Sequence, residues 1–267
     1  MIGEIFSYSF LVRALFVGLF VSLSASLLGV SLVLRRFSMI GDGLSHVGFG
    51  ALGISALLAA EPMVVTIPVV IISAFVLLRV SGKSRNGDSA IALISSSALA
   101  VGVIAVSVAG VNTDLNSFLF GSILSVSRSD GIVAAVLSVI TILSYLMFYH
   151  QIYATTFDPA FAKATGINTG RYTALLALLT ALVIVVGMRI LGSLLISSLI
   201  IFPAAVAMKL GRTYLSVSII SALEAVLAFV LGFFLSYAFS LPTGASIVVV
   251  HMVLYVSASA VKFVRKR

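Results

Sequence analysis

Residues 38–53 read Ser38-Met-Ile-Gly-Asp-Gly-Leu-Ser-His-Val-Gly-Phe-Gly-Ala-Leu-Gly53 and place an acid and a histidine near the start of an apolar, glycine-rich run. Because small residues let helices approach closely in lipid, this run predicts a helix in the middle of a membrane bundle. On that helix Asp42 and His46, four residues apart, would share one face with Cβ atoms about 5–6 Å apart. A carboxylate oxygen and an imidazole nitrogen at this spacing are suitable ligands for a divalent cation.

Asp42 and His46 also have a simpler interpretation, in which Asp42 caps the helix and His46 is a satisfied polar residue at a helix contact. We favour metal contact for the pair, because ionisable side chains beside a lipid-length apolar run are costly to keep. Two ligands do not complete a coordination shell, so water or other side chains must supply the rest. So few ligands suit an ion in transit better than a stored one.

The composition is typical of an integral membrane protein. The chain is 61% hydrophobic and 9% charged, whereas a soluble globular domain is about 45–50% apolar and 25% charged. Period-2 alternation is missing and the apolar runs are too long for strands, so we expect an all-α bundle. Residues 1–267 are expected to form a single transmembrane domain. The absence of cysteine excludes disulfides and thiolate metal sites.

Apolar segments long enough to cross the hydrocarbon, which takes about 20 residues of helix, occur about nine times. The count of eight or nine depends on one short segment and on the pair flanking Arg189, which could be one broken element. The predicted spans are Ala14–Leu34, Gly43–Ala60, Met63–Leu78, Ser89–Val111, Gly131–Tyr149, Tyr172–Met188, Ile190–Met208, Tyr214–Phe239 and Gly244–Val261.

The basic residues indicate the orientation of this bundle. With the N-terminus outside, thirteen of the sixteen fall in loops on one side, which the positive-inside rule assigns to the cytoplasm together with the C-terminus. Their scattered placement also argues against nucleic-acid binding, despite the formal charge of +8. The thirteen are Arg35, Arg36, Arg79, Lys83, Arg85, Lys163, Arg171, Lys209, Arg212, Lys262, Arg265, Lys266 and Arg267.

Two predicted cytoplasmic loops are short enough to dock a partner. In the first, Asp158 can cap a short helix that has Pro159 at its first position and ends at Gly166. The alternative, a mere connector, stays open for this loop. The second is the turn Met208-Lys-Leu-Gly-Arg-Thr-Tyr214, which joins two spans with almost no slack.

Glu224 and His251 lie inside the last two spans, where either could line a polar path; the alternative is a buried acid paired with a neighbouring helix. We rate the buried pairing slightly higher. Pro203 would kink or break its helix. The chain has no Gly-rich phosphate loop and no serine or acid pair with a credible base, so we do not expect an enzyme.

Several motifs, in order along nearly the whole chain, resemble the permease subunits of the zinc/manganese family of ABC importers. They are Arg35-Arg-Phe-Ser-Met-Ile-Gly-Asp-Gly-Leu-Ser-His46, Thr113-Asp-Leu-Asn-Ser-Phe-Leu-Phe-Gly121, Phe157-Asp-Pro-Ala-Phe-Ala-Lys-Ala-Thr-Gly166, Gly192-Ser-Leu-Leu-Ile-Ser-Ser-Leu-Ile-Ile-Phe-Pro-Ala-Ala205 and Leu241-Pro-Thr-Gly-Ala-Ser-Ile-Val248. Each motif is modest alone, and the combination is specific.

The resemblance implies a homodimeric permease in a prokaryotic cell membrane, with the fold of the cobalamin and siderophore importers. Two cytoplasmic ATPase subunits would drive it, and an extracytoplasmic metal-binding protein would deliver zinc, manganese or possibly iron. No permanent cofactor is expected. In relatives the acid and histidine of the second span form the metal site, and these correspond to Asp42 and His46. Such a site is expected deep in the membrane, so Phe37–Gly41 would re-enter it before the helix begins.

The resemblance also bears on the two docking loops. In the cobalamin-importer relatives a turn at about this place contacts the ATPase, and a tight turn transmits a push better than a long loop. We therefore favour Met208, Lys209, Leu210, Gly211 and Arg212 as the main contact, with Asp158, Ala162 and Gly166 as a secondary one. The rival functions are a stand-alone secondary carrier or channel, with Glu224 or His251 as a proton relay, and a non-transporting membrane scaffold.

Overall fold

The computed structural model describes residues 7–81, 87–110, 121 and 127–265, and these consist of helices and connecting turns. The external motif Thr113–Gly121, apart from its glycine, lies outside the described residues. So do four of the basic loop residues, Lys83, Arg85, Lys266 and Arg267.

Eleven helices occur in the described ranges. They are α1 (Ser9–Leu34), α2 (Ile40–Leu57), α3 (Pro62–Ser81), α4 (Gly87–Ala109), α5 (Arg128–Met147), α6 (Tyr149–Phe157), α7 (Pro159–Ala164), α8 (Thr169–Leu191), α9 (Ser193–Leu210), α10 (Tyr214–Phe239) and α11 (Thr243–Arg265).

Eight of these helices are long and apolar enough to cross a membrane, namely all except α2, α6 and α7. The ninth predicted span is α2, an 18-residue helix whose polar Asp42 and His46 and whose glycines lower its hydropathy. The prediction of about eight or nine helical spans is therefore confirmed. The pair flanking Arg189 is two helices, joined at Gly192 with φ of 89°, a conformation that glycine adopts without steric cost.

The predicted boundaries differ by a few residues where local capping decides. For example, α5 begins at Arg128 and not at Gly131, because the Ser127 hydroxyl caps it by accepting a hydrogen bond from the Asp130 amide. Polar side chains at a helix N-terminus satisfy amides that have no partner within the helix.

One end of the bundle gathers most of the described basic residues, and we call it the basic end. There the Arg35 guanidinium, just after α1, donates to the Thr173 hydroxyl near the start of α8. Likewise the Lys209 ammonium at the end of α9 lies 4.2 Å from the ring centroid of Tyr255 in α11. At the opposite end Arg189 pairs with Asp130 at 3.5 Å. The end of α1 and the start of α8 thus lie together at one end, and the end of α8 and the start of α5 at the other.

Helix α2 lies in the middle of the bundle, as its glycines predict, with α3, α4, α8 and α9 packed around it. The backbones of α2 and α4 contact each other directly at these glycines. A Cβ atom on Gly53 would lie 2.6 Å from the Gly102 carbonyl oxygen, and one on Gly50 would lie 2.6 Å from that of Ala98. Any side chain here would push the two backbones apart.

We expect Gly53→Ala to lower the free energy of unfolding by about 1–3 kcal/mol, since the added methyl group overpacks a backbone contact. Thermal unfolding of the purified protein in detergent measures this. The matched control is Gly170→Ala in the first turn of α8, where a Cβ meets only Asn168 Oδ1, at 3.4 Å. Equal melting of the two variants would contradict the close α2–α4 contact.

Candidate metal site

Asp42 and His46 lie on the same face at the start of α2, as the sequence predicts. Asp42 is in the first turn, while the N-cap position is Met39, which makes no side-chain capping bond. The capping interpretation of Asp42 therefore does not describe its position. Instead Asp42 Oδ2 lies 3.5 Å from His46 Nε2.

This separation suits two ligands of one ion. With metal–ligand distances of about 2.1 Å and tetrahedral angles, two donor atoms are about 3.4 Å apart. The Asp42 side chain is 48% exposed and that of His46 is 19% exposed, so an ion can reach both. No third histidine or acid joins them among the described residues. One chain therefore offers two donors to a shell that needs four or more.

The other imidazole nitrogen, His46 Nδ1, is buried without a hydrogen-bond partner in the described part of the chain. A histidine that binds metal through one nitrogen usually donates the other N–H to a carboxylate, carbonyl or water. His46 thus needs one further acceptor to be fully satisfied. The spacing of the pair suits one metal ion, but among the described residues a single chain supplies only two ligands.

The site lies inside the bundle, away from the turn at the end of α9. A Cβ on Gly41 would lie 3.4 Å from the Cα of Ser197, which is the fifth residue of α9. About 20 Å of helix separates Ser197 from Leu210 at 1.5 Å per residue. In the connection before α2, Phe37 is buried, whereas Arg36 and Met39 are exposed. Re-entry of Phe37–Gly41 into the membrane stays a prediction.

Glu224 and His251 pair with each other across α10 and α11. Glu224 Oε1 lies 3.0 Å from His251 Nδ1, and both side chains are buried. Phe202 of α9 stacks on the His251 ring at 5.9 Å between centroids. Glu224 Oε2 and His251 Nε2 have no partner among the described residues. The structure shows a buried acid paired with a neighbouring helix, the interpretation rated slightly higher from sequence, and it identifies the partner as His251.

The first docking loop forms the capped helix expected from its sequence. Helix α7 starts at Pro159, and Asp158 Oδ1 accepts a hydrogen bond from the Phe161 amide at 2.9 Å. Gly166 follows the helix with φ of 87°. Ala162 is fully buried, whereas Phe161 is 64% exposed, so the outer face of α7 is that of Phe161.

The second docking loop is a tight turn in which residues 211–213 alone separate α9 from α10. The Gly211 amide donates to the Ala207 carbonyl at 2.7 Å. Thr213 and Ser216 form a reciprocal capping box that begins α10. These bonds leave the turn little freedom.

Tyr214 connects the two loops, a role that our sequence reasoning missed. Its ring packs against three aromatic rings of α6, the helix that leads into α7, and its hydroxyl lies 2.6 Å from that of Ser31 and 2.8 Å from that of Tyr145. A signal was present, because aromatic residues recur every four positions before α7. They are Tyr145, Tyr149, Tyr153 and Phe157, of which the last three contact the Tyr214 ring in tilted or edge-on geometry.

Residues 7–262 match the sequence pattern of the ABC 3 transport family. The chain belongs to this family. Two relatives show its range. The manganese import system permease protein ScaB of Streptococcus gordonii is 31% identical over 93% of this chain and 90% of its own length. The high-affinity zinc uptake system membrane protein ZnuB of Haemophilus influenzae is 30% identical over 93% of this chain and 96% of its own.

Two solved structures support the fold of this ABC 3 member. PsaBC from Streptococcus pneumoniae in complex with Fab has a chain that is 32% identical, with a TM-score of 0.84 over 97% of this chain and 95% of that one. An inward-facing ABC transporter of metal-chelate type shares 16% identity and a TM-score of 0.70 over 94% and 85%, a likeness of fold alone. The chain is thus a multi-pass membrane permease, a transport component, as its sequence motifs indicate.

We expect the contact between Glu224 and His251 to stabilise this ABC 3 permease. Glu224→Leu leaves the imidazole buried without its partner and should cost on the order of 1–3 kcal/mol. The double change Glu224→Leu/His251→Leu should recover much of that loss, because an apolar replacement of both partners leaves nothing unsatisfied. Thermal unfolding in detergent tests this, and strictly additive losses would show that the two side chains do not act as a pair.

Proposed function

We propose that the chain is the membrane permease of an ATP-driven importer of manganese or zinc, with iron in the same ligand class. The observation that carries the proposal is the Asp42–His46 pair, 3.5 Å apart at the start of the central helix. The manganese and zinc systems named for two relatives support the substrate class. Imidazole and carboxylate together suit all these ions, so the pair alone does not select among them.

The second half of the coordination shell would come from a second copy of the chain. In a two-fold dimer the same patch of both subunits meets at the axis. If the exposed side of Asp42 faces that axis, two Asp42–His46 pairs supply four donors. Four donors complete a tetrahedral zinc shell, and two added waters make the octahedral shell that manganese prefers.

The energy would come from separate cytoplasmic ATPase subunits. The chain carries no phosphate-binding loop. We place the basic end and the C-terminus in the cytoplasm of a prokaryotic cell, and the opposite end towards an extracytoplasmic metal-binding protein. The turn Met208–Arg212 would be the main ATPase contact, with α7 as the secondary one. Because Tyr214 joins the turn to α6, and α6 leads into α7, a force on one loop would be passed towards the other.

Asp42→Asn tests the site. The variant keeps the side-chain shape and removes the charge, so uptake of radioactive manganese or zinc at limiting metal should be abolished, while folding and dimerisation persist. The control is Glu61→Gln, which neutralises an exposed carboxylate just before α3. Normal uptake by Asp42→Asn would remove this residue from the pathway.

Wild-type uptake should also weaken in acid, where protons compete with the metal for both ligands.

Metal flux in liposomes separates the importer from a stand-alone carrier or channel. Purified chain without an ATPase should give no metal flux, and addition of the ATPase with ATP should produce a flux. Flux from the chain alone would support the carrier and overturn the importer.

Single cysteines test the docking loops, because the natural chain has none. Leu210→Cys, 40% exposed at the end of α9, should cross-link to the ATPase strongly, and Phe161→Cys on the outer face of α7 more weakly. Phe161 is used because Ala162 faces the protein interior. Strong cross-links from position 161 with none from position 210 would make α7 the main contact.

A further inference from the structure

A cavity of about 560 Å³ opens between α3 and α8 at the basic end. Arg35 and Arg79 line it, together with Thr169 and Thr173 of α8 and Pro159 of α7. Its size falls within the range of small-molecule and cofactor sites, about 300–1,000 Å³. No role in the proposed metal pathway uses it.

The lining is suited to an anion. Two arginines and no carboxylate occur among its described residues. The Arg35 guanidinium has five N–H donors, and Thr173 takes one of them at 3.0 Å. Burial lowers the pKa of Arg35, because the surrounding protein removes water from its charge. A bound phosphate oxygen would replace that lost water.

The start of α8 adds to this preference. Thr169 and Gly170 are the first residues of a 23-residue helix, and both line the cavity. Amides at a helix N-terminus and the helix dipole favour negative charge. Two guanidinium groups and the N-terminus of α8 thus all contribute positive potential to the cavity.

An apolar stripe on α3 leads into the cavity and indicates which anion binds. Exposed residues recur along one face of α3 at steps of three or four, ending one turn before Arg79. They are Val64, Pro68, Ile72, Phe75 and Val76. A soluble anion would make no contact with this apolar stripe, whereas the acyl chain of a phospholipid can lie along it. The headgroup would then reach the two arginines.

The level in the membrane agrees with this occupant. Arg35 follows α1 directly, Arg79 is in the last turn of α3 and Thr169 begins α8, so all three mark the ends of membrane spans. Basic pockets between transmembrane helices on the cytoplasmic side are known to hold anionic lipid headgroups. We propose that this cavity binds the phosphate of an anionic phospholipid, whose acyl chain follows the exposed stripe of α3.

The lipid would also contact the start of α7, since Pro159 lines the same cavity. Binding needs neither transport nor an ATPase, so its test is independent of the proposed function.

The test is retention of lipid by the purified, delipidated full chain in detergent, measured by native mass spectrometry. Phosphatidylglycerol and phosphatidylcholine with identical acyl chains are offered in turn. The wild type should retain phosphatidylglycerol preferentially. Arg79→Gln should weaken that retention about fivefold, as expected for one basic residue at an anionic lipid surface. Thr173→Val, which removes the hydroxyl that positions Arg35, should weaken it as well.

The matched control is Arg171→Gln, which removes an exposed charge from the first turn of α8 but does not line the cavity. It should retain phosphatidylglycerol like the wild type, and all three variants should melt within a few degrees of it. Equal retention of both lipids by the wild type would overturn the proposal, as would equal losses in Arg79→Gln and Arg171→Gln. Displacement of the lipid by millimolar inorganic phosphate would assign the cavity to a free anion. Cross-linking of Ile72→Cys to a second copy would assign the stripe to a chain–chain interface.

Discussion

The backbone contact between α2 and α4 is the constraint on which the rest of this bundle depends. In lipid, helices gain nothing from leaving an apolar solvent, so close packing and hydrogen bonding must hold them together. Cβ atoms on Gly50 and Gly53 would each lie 2.6 Å from a carbonyl oxygen of α4, that of Ala98 and that of Gly102 respectively. This contact fixes α2 in the middle, where three other helices enclose it. His46 is then mostly enclosed by protein, with 19% of its side chain exposed, whereas the Asp42 side chain stays 48% exposed.

Placing α2 centrally separates the candidate metal site from the surface on which an ATPase would act. The two are linked by α9, whose first turns contact Gly41 and whose last residue enters the tight turn before α10. Tyr214, with hydrogen bonds towards α1 and α5 and ring contacts to α6, makes the same turn sensitive to α7.

What the sequence predicts well is local. Span number, the cap at Asp158 and the shared face of Asp42 and His46 follow from spacing within one helix or loop. The pairing of Glu224 with His251 joins two helices across 27 positions, and only packing reveals it. The depth of Asp42 likewise depends on how α2 meets α9. The arginine-lined cavity is assembled from four separate segments, so no single stretch of sequence carries its signal. Ala162 shows the same limit, because its burial within α7 depends on the helices beneath it.

Helix α9 also contacts the second polar pair, and this gives Pro203 a structural meaning. The ring of Phe202 stacks on His251, one residue before the proline. Proline has no amide hydrogen, so the carbonyl four residues earlier loses its helical partner and the helix can bend there. Even so, α9 runs as one helix from Ser193 to Leu210, so Pro203 does not break it. Pro203 lies between the segment that touches Gly41 and the segment that ends at the basic end. Beside the proline, the ring of Phe202 ties α9 to the buried Glu224–His251 pair between α10 and α11.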